Sequence, residues 1–407
     1  MPDAIVYCDG LPALAPLTDL RASFDVRTGA LTTLERLERS LGLRIAALLV
    51  PERLAAVTRE RHLAPVNEAP TELEDEALII NGRCPLDDEM IATLTRGQRL
   101  VEAGTGELIA ACVSKNEAMA FIKGEQPAPG DTIEASAPAL LSRPWHVITF
   151  RDRALEMDLA LLSQTQTQDL PPGVLAIGES DFTIAPDALV YPGVTLDLEH
   201  GPIVIAEHAT IRPGAIVHGP CYVGPHATVL DGALIKGGTT LGPWCKAAGE
   251  VGGTIFQSYS NKAHDGHLGD SYIGEWVNLG AGTTNSNLLN TYAEVIAKGQ
   301  PQASNERTGL QFLGAIVGDH VKTAICTKLM TGCVLHTGSM FAESKAVSGC
   351  VPAFTWATDE GRKPYRFEKF IDVARAMMAR RKVEPSEAYA ACLKELHASR
   401  SAPSRGV

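Results

Sequence analysis

The chain has 407 residues, with 36 Lys and Arg against 48 Asp and Glu and a net charge of −12. That length exceeds what one hydrophobic core ordinarily serves and implies two or three domains, and that charge excludes a protein that holds nucleic acid by counterion release. Hydrophobic residues make up 45% but aromatic ones only 5%, with 37 glycines and 25 prolines, a mixture that argues against a helical bundle and suits many short, regularly turned strands of small aliphatics.

Residues 1–150 alternate strand and helix signals. AIVYC (4–8) reads as a buried strand and LTTLERLERSL (31–41) as a helix with Glu and Arg outside. RIAALLV (44–50), a helix over 51–61, ALIIN (77–81) and a helix over 87–94 continue the alternation. The pattern predicts a small, mainly parallel sheet covered by helices. EAGTGE (102–107) reads as a hairpin turn. RDRALEMDLALLSQ (151–164) is a connecting helix, and QTQTQDLPPG (164–173), polar and then proline-rich, marks a boundary.

From there an internal repeat decides the fold. Residues 205–246 divide into sixes: IAEHAT, IRPGAI, VHGPCY, VGPHAT, VLDGAL, IKGGTT, LGPWCK. The first position is always Ile, Val or Leu, and the fifth is always small: Ala209, Ala215, Cys221, Ala227, Ala233, Thr239 and Cys245. The period begins at IAPDAL (184) and returns at IGEWVN (273), LGAGTT (279) and four hexads from VGDHVK (317). A period of six fits neither a helix nor a plain alternating strand. It fits a strand and a turn repeated three times per coil of a parallel β-solenoid, each aliphatic stacking on its equivalent about 4.8 Å away. The small residue points inward where walls converge, and glycine and proline serve the corners.

After Pro352, residues 366–382 and 385–398 read as two helices that pack on the solenoid or on a neighbouring subunit; the basic run Arg380–Lys382 reads as a solvated face. The expected domains are therefore 1–150, a helical linker over 151–176, the solenoid over 177–350 and helices over 351–407. The nine cysteines are odd in number, scattered and never in a CxxC pair, which fits a reducing cytoplasm. The N-terminus shows no signal peptide and no stretch approaches a membrane span. A cytoplasmic protein without membrane or nucleic-acid partners is expected.

Chemistry is expected where the hexads break down, at NKAHDGHLGDSYIGEWVNLGAGTTNSNL (261–288). Eight of the eleven histidines lie between 200 and 336. His200, His208, His218, His226, His320 and His336 fall at turn or wall positions and read as surface residues. His264 and His267 instead share a segment with Lys262, Asp265, Asp270, Asn278 and Asn287. Coil stacking brings Asn278 and Asn287 within one or two coils of His264. The spacing offers no third histidine for zinc.

The motif AH–x2–HLGDS–x–IGE–x–VNLGAGT–x3–N resembles the acetyltransferase domain of the bifunctional bacterial glucosamine-1-phosphate N-acetyltransferase/N-acetylglucosamine-1-phosphate uridylyltransferases. It is also similar to the archaeal sugar-1-phosphate nucleotidylyltransferase/amino-sugar acetyltransferases, which extend the match through LGAIVGDHVKTAI (313–325). The resemblance covers roughly 175–350. It implies a left-handed β-helix, a homotrimer and an acetyl-CoA site between subunits. By it, His264 falls on the catalytic base, Asn278 on a sugar contact, Ala281 on a main-chain contact near the acetyl group, and Asn287 on an asparagine important for transfer. Three positions depart from the pattern: His267 and Leu288 stand where tyrosines are usual, and residues 289–312 replace a lysine-bearing segment.

The chemistry agrees. A neutral amine must attack a thioester, so a base with a pKa near 7 takes its proton, which suits histidine. Asp265 or Asp270 is expected to orient that histidine, the Gly280–Gly282 backbone to hold the oxyanion, and Lys262 and Lys322 to contact phosphate.

By the same resemblance the first domain is a shortened sugar-phosphate nucleotidyltransferase-like fold. LIINGRCPLDDEMIATL (78–94) is similar to the strand–turn–helix whose aspartate binds magnesium, but Arg83 stands there, and CDGLPALAPLTDLR (8–21) replaces the glycine-rich nucleotide loop. An arginine cannot ligate the metal that phosphoryl transfer relies on. Arg21, Arg27 and Arg83 remain phosphate candidates, with Asp9 or Asp25 as metal ligands and Mg2+ as cofactor if the domain is active. Three functions follow: an acetyl-CoA-dependent acyltransferase on an amino sugar or sugar phosphate; a sugar-1-phosphate nucleotidylyltransferase with the solenoid as trimerising scaffold; or a binding or assembly protein that kept the shape.

Overall fold

A computed structural model describes residues 2–86, 88–127, 130–163 and 169–401. Part of the expected polar boundary (164–168) and the first residue of the helix expected at 87 lie outside these.

The N-terminal region has six strands, β1 (Asp3–Tyr7), β2 (Arg44–Leu49), β3 (Glu76–Asn81), β4 (Gln98–Val101), β5 (Leu108–Ser114) and β6 (Asp131–Glu134), in the order β2-β1-β3-β5-β4-β6. β1 pairs in parallel with β2 and β3, and β4 with β6, while β5 runs antiparallel to both β3 and β4. The turn expected at 102–107 connects β4 to β5, so a hairpin makes the sheet mixed. Helices α1 (Thr33–Leu41), α2 (Glu52–Arg61), α3 (Asp88–Ala92) and α4 (Lys115–Ile122) cover it, and α5 (His146–Thr149) and α6 (Arg151–Leu162) face the solenoid. α1 starts at a capping box, Thr32 with Glu35, and ends at the left-handed Gly42.

The solenoid has three walls of stacked parallel strands. The first runs through nine strands from Phe182–Ile184 to Cys350–Val351. The second runs from Leu189–Val190 to Asn261–Lys262 and resumes at Lys322–Thr323; the third runs from Leu175–Ile177 to His267–Gly269. Aliphatics stack in register, Ile205 on Val223 on Leu241 and Val217 on Ile235 on Val251. All seven small residues of the fifth position are exposed by 1% or less. A larger group there would meet the opposing walls, which explains why the repeat admits only Ala, Cys or Thr.

The two regions are bound together. Residues 14–34 are buried along their whole length. Arg21 reaches from this segment into the solenoid, 2.8 Å from Asp319 and 3.1 Å from Glu275, and Arg61 of α2 lies 3.2 Å from the same Glu275. On α6, Leu155 and Leu159 pack against Val204, Ala206 and Tyr222 of the first wall. The insertion at 289–312 leaves the solenoid between Asn278 and Lys322, which pair directly as successive rungs. It forms a small antiparallel pair, Ile296–Ala297 with Glu306–Arg307, and Gln300 donates to the carbonyls of Pro12 and Ala15 at 3.1 and 3.2 Å.

The tail consists of α7 (Phe367–Ala379) and α8 (Glu387–Ser401). It packs on its own chain, with Phe370 edge-on to Phe354 at 4.9 Å and Tyr389 hydrogen-bonded to His320 at 2.8 Å. His320 and His336 are accordingly buried, contrary to the surface placement read from the repeat. The tail and the insertion cover them, and neither contact is encoded in the hexads. Among the described residues no helix is long and apolar enough to cross a membrane.

Candidate active site

The second-wall strand Asn261–Lys262 is followed by the third-wall strand His267–Gly269, and the turn 263–266 between them carries His264. Gly266 has φ 119°, and a Cβ there would lie 2.2 Å from the Thr283 carbonyl oxygen, so only glycine fits. Lys262 is not on the surface. Its side chain enters the solenoid, and its Nζ donates to the carbonyls of Ala248 and His264, both at 2.9 Å. Burial lowers its pKa to about 8, although Asp265 works the other way. A lysine at an inward position of the strand has no other place to go, and it fastens the turn from inside. The expected phosphate contact through Lys262 is therefore corrected: its ammonium is spent on the backbone.

The His264 imidazole is exposed and makes no hydrogen bond among the described residues. Neither expected orienting carboxylate holds it. Asp270 accepts from Arg151 at 2.8 Å and from Asn287 at 2.7 Å. Asp265 contributes its main-chain oxygen to Gly282.

Two cavities meet at this ring. One, of 240 Å³, is lined by Lys246, Asn261, Asn278 and Trp276 from the solenoid and by Arg380 and Arg381 from the end of α7. Lys246, Asn261, Asn278 and Lys322 are successive rungs of one outward column, and Asn261 Nδ2 donates to Asn278 Oδ1 at 2.9 Å. Lys322 completes the column but does not line the cavity; its Nζ donates to the His320 carbonyl at 3.2 Å, and burial lowers its pKa to about 8. The other cavity, of 640 Å³, is lined on its far side by Asp265, Ala281, Gly282, Ile325 and Cys326. Within Gly280–Gly282, the Gly280 amide donates to Thr323 Oγ1 and the Gly282 amide to Asp265 O, which leaves the Ala281 amide as the uncommitted donor among the described residues.

His267 and Asn287 lie round the corner, on the third wall. A Cβ on Gly269 would touch both at 2.7 Å, which places them side by side, and His267 Nδ1 is 3.4 Å from Glu250. The structure thus joins His264, Asn278 and Ala281 around two cavities and sets His267 and Asn287 apart within the chain.

In the N-terminal region the three arginines do not converge. Arg21 is sealed against Asp319 and Glu275. Arg27 is buried and bonded to both ends of Gln257 and to the Ala30 carbonyl. Arg83 ties Asp9 at 2.7 Å to Glu107 and donates to the Leu141 carbonyl. Asp25 is bonded to His62 at 2.9 Å and lies apart from Asp9. A cation between Asp9 and Glu107 would have to displace the guanidinium, and no group of three or more His, Cys, Asp or Glu among the described residues is arranged to hold a metal. The Arg83 guanidinium thus stands between the two carboxylates where a cation would sit.

Residues 8–167 match the sequence family described as "Sugar nucleotidyl transferase". Over 115 residues the chain is 30% identical to a "Bifunctional protein GlmU" from Methanococcus maripaludis, an alignment covering 27% of each. Over 86 residues it is 36% identical to a "Bifunctional sugar-1-phosphate nucleotidylyltransferase/acetyltransferase" from Sulfurisphaera tokodaii, covering 21% of each. The chain resembles these bifunctional enzymes. The matched part spans 27% or less of the curated relatives' length. Among solved structures, the UDP-N-acetylglucosamine acyltransferase of Francisella novicida aligns with 54% of this chain and 88% of its own at 10% identity and a TM-score of 0.30. The Arabidopsis UDP-N-acetylglucosamine acyltransferase aligns with 58% and 98% at 11% identity and a TM-score of 0.22.

Lys246, Asn261, Arg380 and Arg381 lie outside the motif. The first two were within reach, since Lys246 ends its hexad as Thr228 and Thr210 end theirs, and that position forms the outward column. Arg380 and Arg381 had no local signal. They read as a solvated run because only the fold of the tail lays α7 against this wall.

Proposed function

We propose that the chain transfers an acetyl group from acetyl-CoA to the amine of an amino sugar or sugar phosphate, with His264 as general base. The observation that carries this reading is an imidazole without an internal partner at the junction of two cavities. The acceptor occupies the polar cavity beside Asn278. The acyl arm lies in the cavity beside Ala281, whose free amide faces the carbonyl oxygen. The amine nitrogen bonds to the thioester carbon, its proton passes to His264, and negative charge on the oxygen is held by the Ala281 N–H. When the carbon–sulfur bond breaks, the thiolate leaves and takes up the proton. A homotrimer would bring the third wall of one copy near this corner. The apolar, exposed Leu175, Ile177 and Ile216 on that wall support such packing.

The test is thiol release from acetyl-CoA with glucosamine-1-phosphate and related amino sugars. His264→Ala should lower kcat by about 10² to 10⁴ with an unchanged melting temperature, because the exposed ring supports nothing else. Unchanged thiol release in the variant sinks the assignment.

The family match over 8–167 favours a second reading, nucleotidyl transfer by the N-terminal region. Pyrophosphate release from UTP or dTTP with a sugar-1-phosphate, with and without EDTA, decides it. The Arg83 clasp on Asp9 and Glu107 weighs against a metal-dependent version.

A further inference from the structure

Three cations from two distant parts of the chain meet in the smaller cavity without a counter-charge. Lys246 stands on the second wall, and Arg380 and Arg381 close the same cavity from the end of α7. None of the three has an ion pair or a side-chain hydrogen bond among the described residues, and the carboxylates at this corner, Asp265 and Asp270, belong to the other cavity and to the pair with Arg151. Lys246 and Arg381 are half-buried. Burial lowers the Lys246 pKa, and Arg381 and Arg380 lower it further; burial likewise lowers that of Arg381. Like charges gathered at partly buried positions repel one another, and a bound anion offsets that repulsion. Arginine pairs are suited to phosphate oxygens, which they engage with paired N–H donors. The cavity also has neutral polar groups, the Asn261–Asn278 pair, beside His264.

We propose that Lys246, Arg380 and Arg381 form a phosphate-binding site that makes the C-terminal helix α7 part of the active site. The site takes a phosphate ester carried by one of the two substrates. The proposal deepens the acyl-transfer reading and rests on it for the carrier of the phosphate; the anion site itself is decided by binding without turnover.

The probes are inorganic pyrophosphate, glucosamine-1-phosphate against glucosamine, and coenzyme A against its 3′-dephospho form, titrated calorimetrically into the full chain at low and moderate salt. Wild type should bind pyrophosphate, and Arg380→Gln/Arg381→Gln should weaken it at least tenfold, with Lys246→Gln acting in the same direction. Arg375→Gln, on the same helix but paired with Asp372, should change nothing. If the acceptor carries the phosphate, the double variant loses affinity for glucosamine-1-phosphate and not for glucosamine. If the donor carries it, the loss appears with coenzyme A and not with the dephospho form. Absence of pyrophosphate binding in wild type, or equal affinity in the double variant with an unchanged melting temperature, overturns the site. No thiol release by the wild type, with pyrophosphate binding intact, counts against the acyl-transfer reading and leaves the anion site standing.

Discussion

At Lys262 a residue type expected to meet substrate serves the architecture instead. Its ammonium holds the carbonyls of Ala248 and His264 from within and so sets the turn that presents the imidazole. The folded chain keeps Lys262 at about 8, below the ordinary lysine value of 10.5. Its protonated form is therefore disfavoured by folding, and the cost, about 3 kcal/mol, is fully present below pH 8 and fades as pH rises towards 10.5. Lys262→Met should abolish this dependence. The melting temperature of wild type relative to the variant should climb between pH 8 and 10, and a flat difference would contradict the buried charge. On the acyl-transfer reading proposed above, the variant should lower kcat with little change in KM, since Lys262 holds the turn and not the substrate.

The coil is the element on which everything is mounted, and its tolerance differs by position. Ala227 is fully buried between Ala209 below and Cys245 above, whereas Thr228 next to it points outward. Ala227→Leu should destabilise by about 1–3 kcal/mol through overpacking, and Thr228→Leu should stay within about 0.5 kcal/mol. Thermal melts of the two variants separate these outcomes. The hexad made this visible in advance: positions one and five are set by the interior, position six by what the wall displays. The same logic places Lys246 and Asn261 on one outward column, but not what covers them. That depends on α7, whose own sequence shows a helix and a basic end and nothing of its destination.

On the scale of the molecule, the clasp of Arg21 on Asp319 and Glu275 joins the N-terminal region to the solenoid through buried charge. Burial alone would raise the pKa of Glu275, but Arg21, Arg61 and Ser258 hold it at about 2 against an ordinary 4.5. Its contribution to stability is present above pH 4.5 and is lost as pH falls towards 2. Glu275→Gln should flatten the acid limb of the unfolding curve over that window. Arg21→Met leaves two carboxylates buried with less compensation and should cost about 3–5 kcal/mol, read as earlier thermal unfolding and faster proteolysis between the two regions. By sequence Arg21 is a phosphate candidate; what makes it a clasp is a partner 298 residues away in the chain.

By itself, the amino-acid sequence determined the solenoid, its inward and outward positions, the strand–helix alternation of the first 150 residues, and a histidine at the break in the repeat. These rest on local periodicity, since a strand of fixed length repeated in register needs no distant information. The tertiary structure decided which charges are free. Lys262, Arg21, Arg27 and Arg83 are spent on internal partners, Asp270 serves Arg151 and Asn287, and Lys246, Arg380 and Arg381 are left facing a cavity. The reason is that a charge's role depends on what lies within a few ångströms of it, and at these positions most of that surrounding comes from chain far away along the sequence.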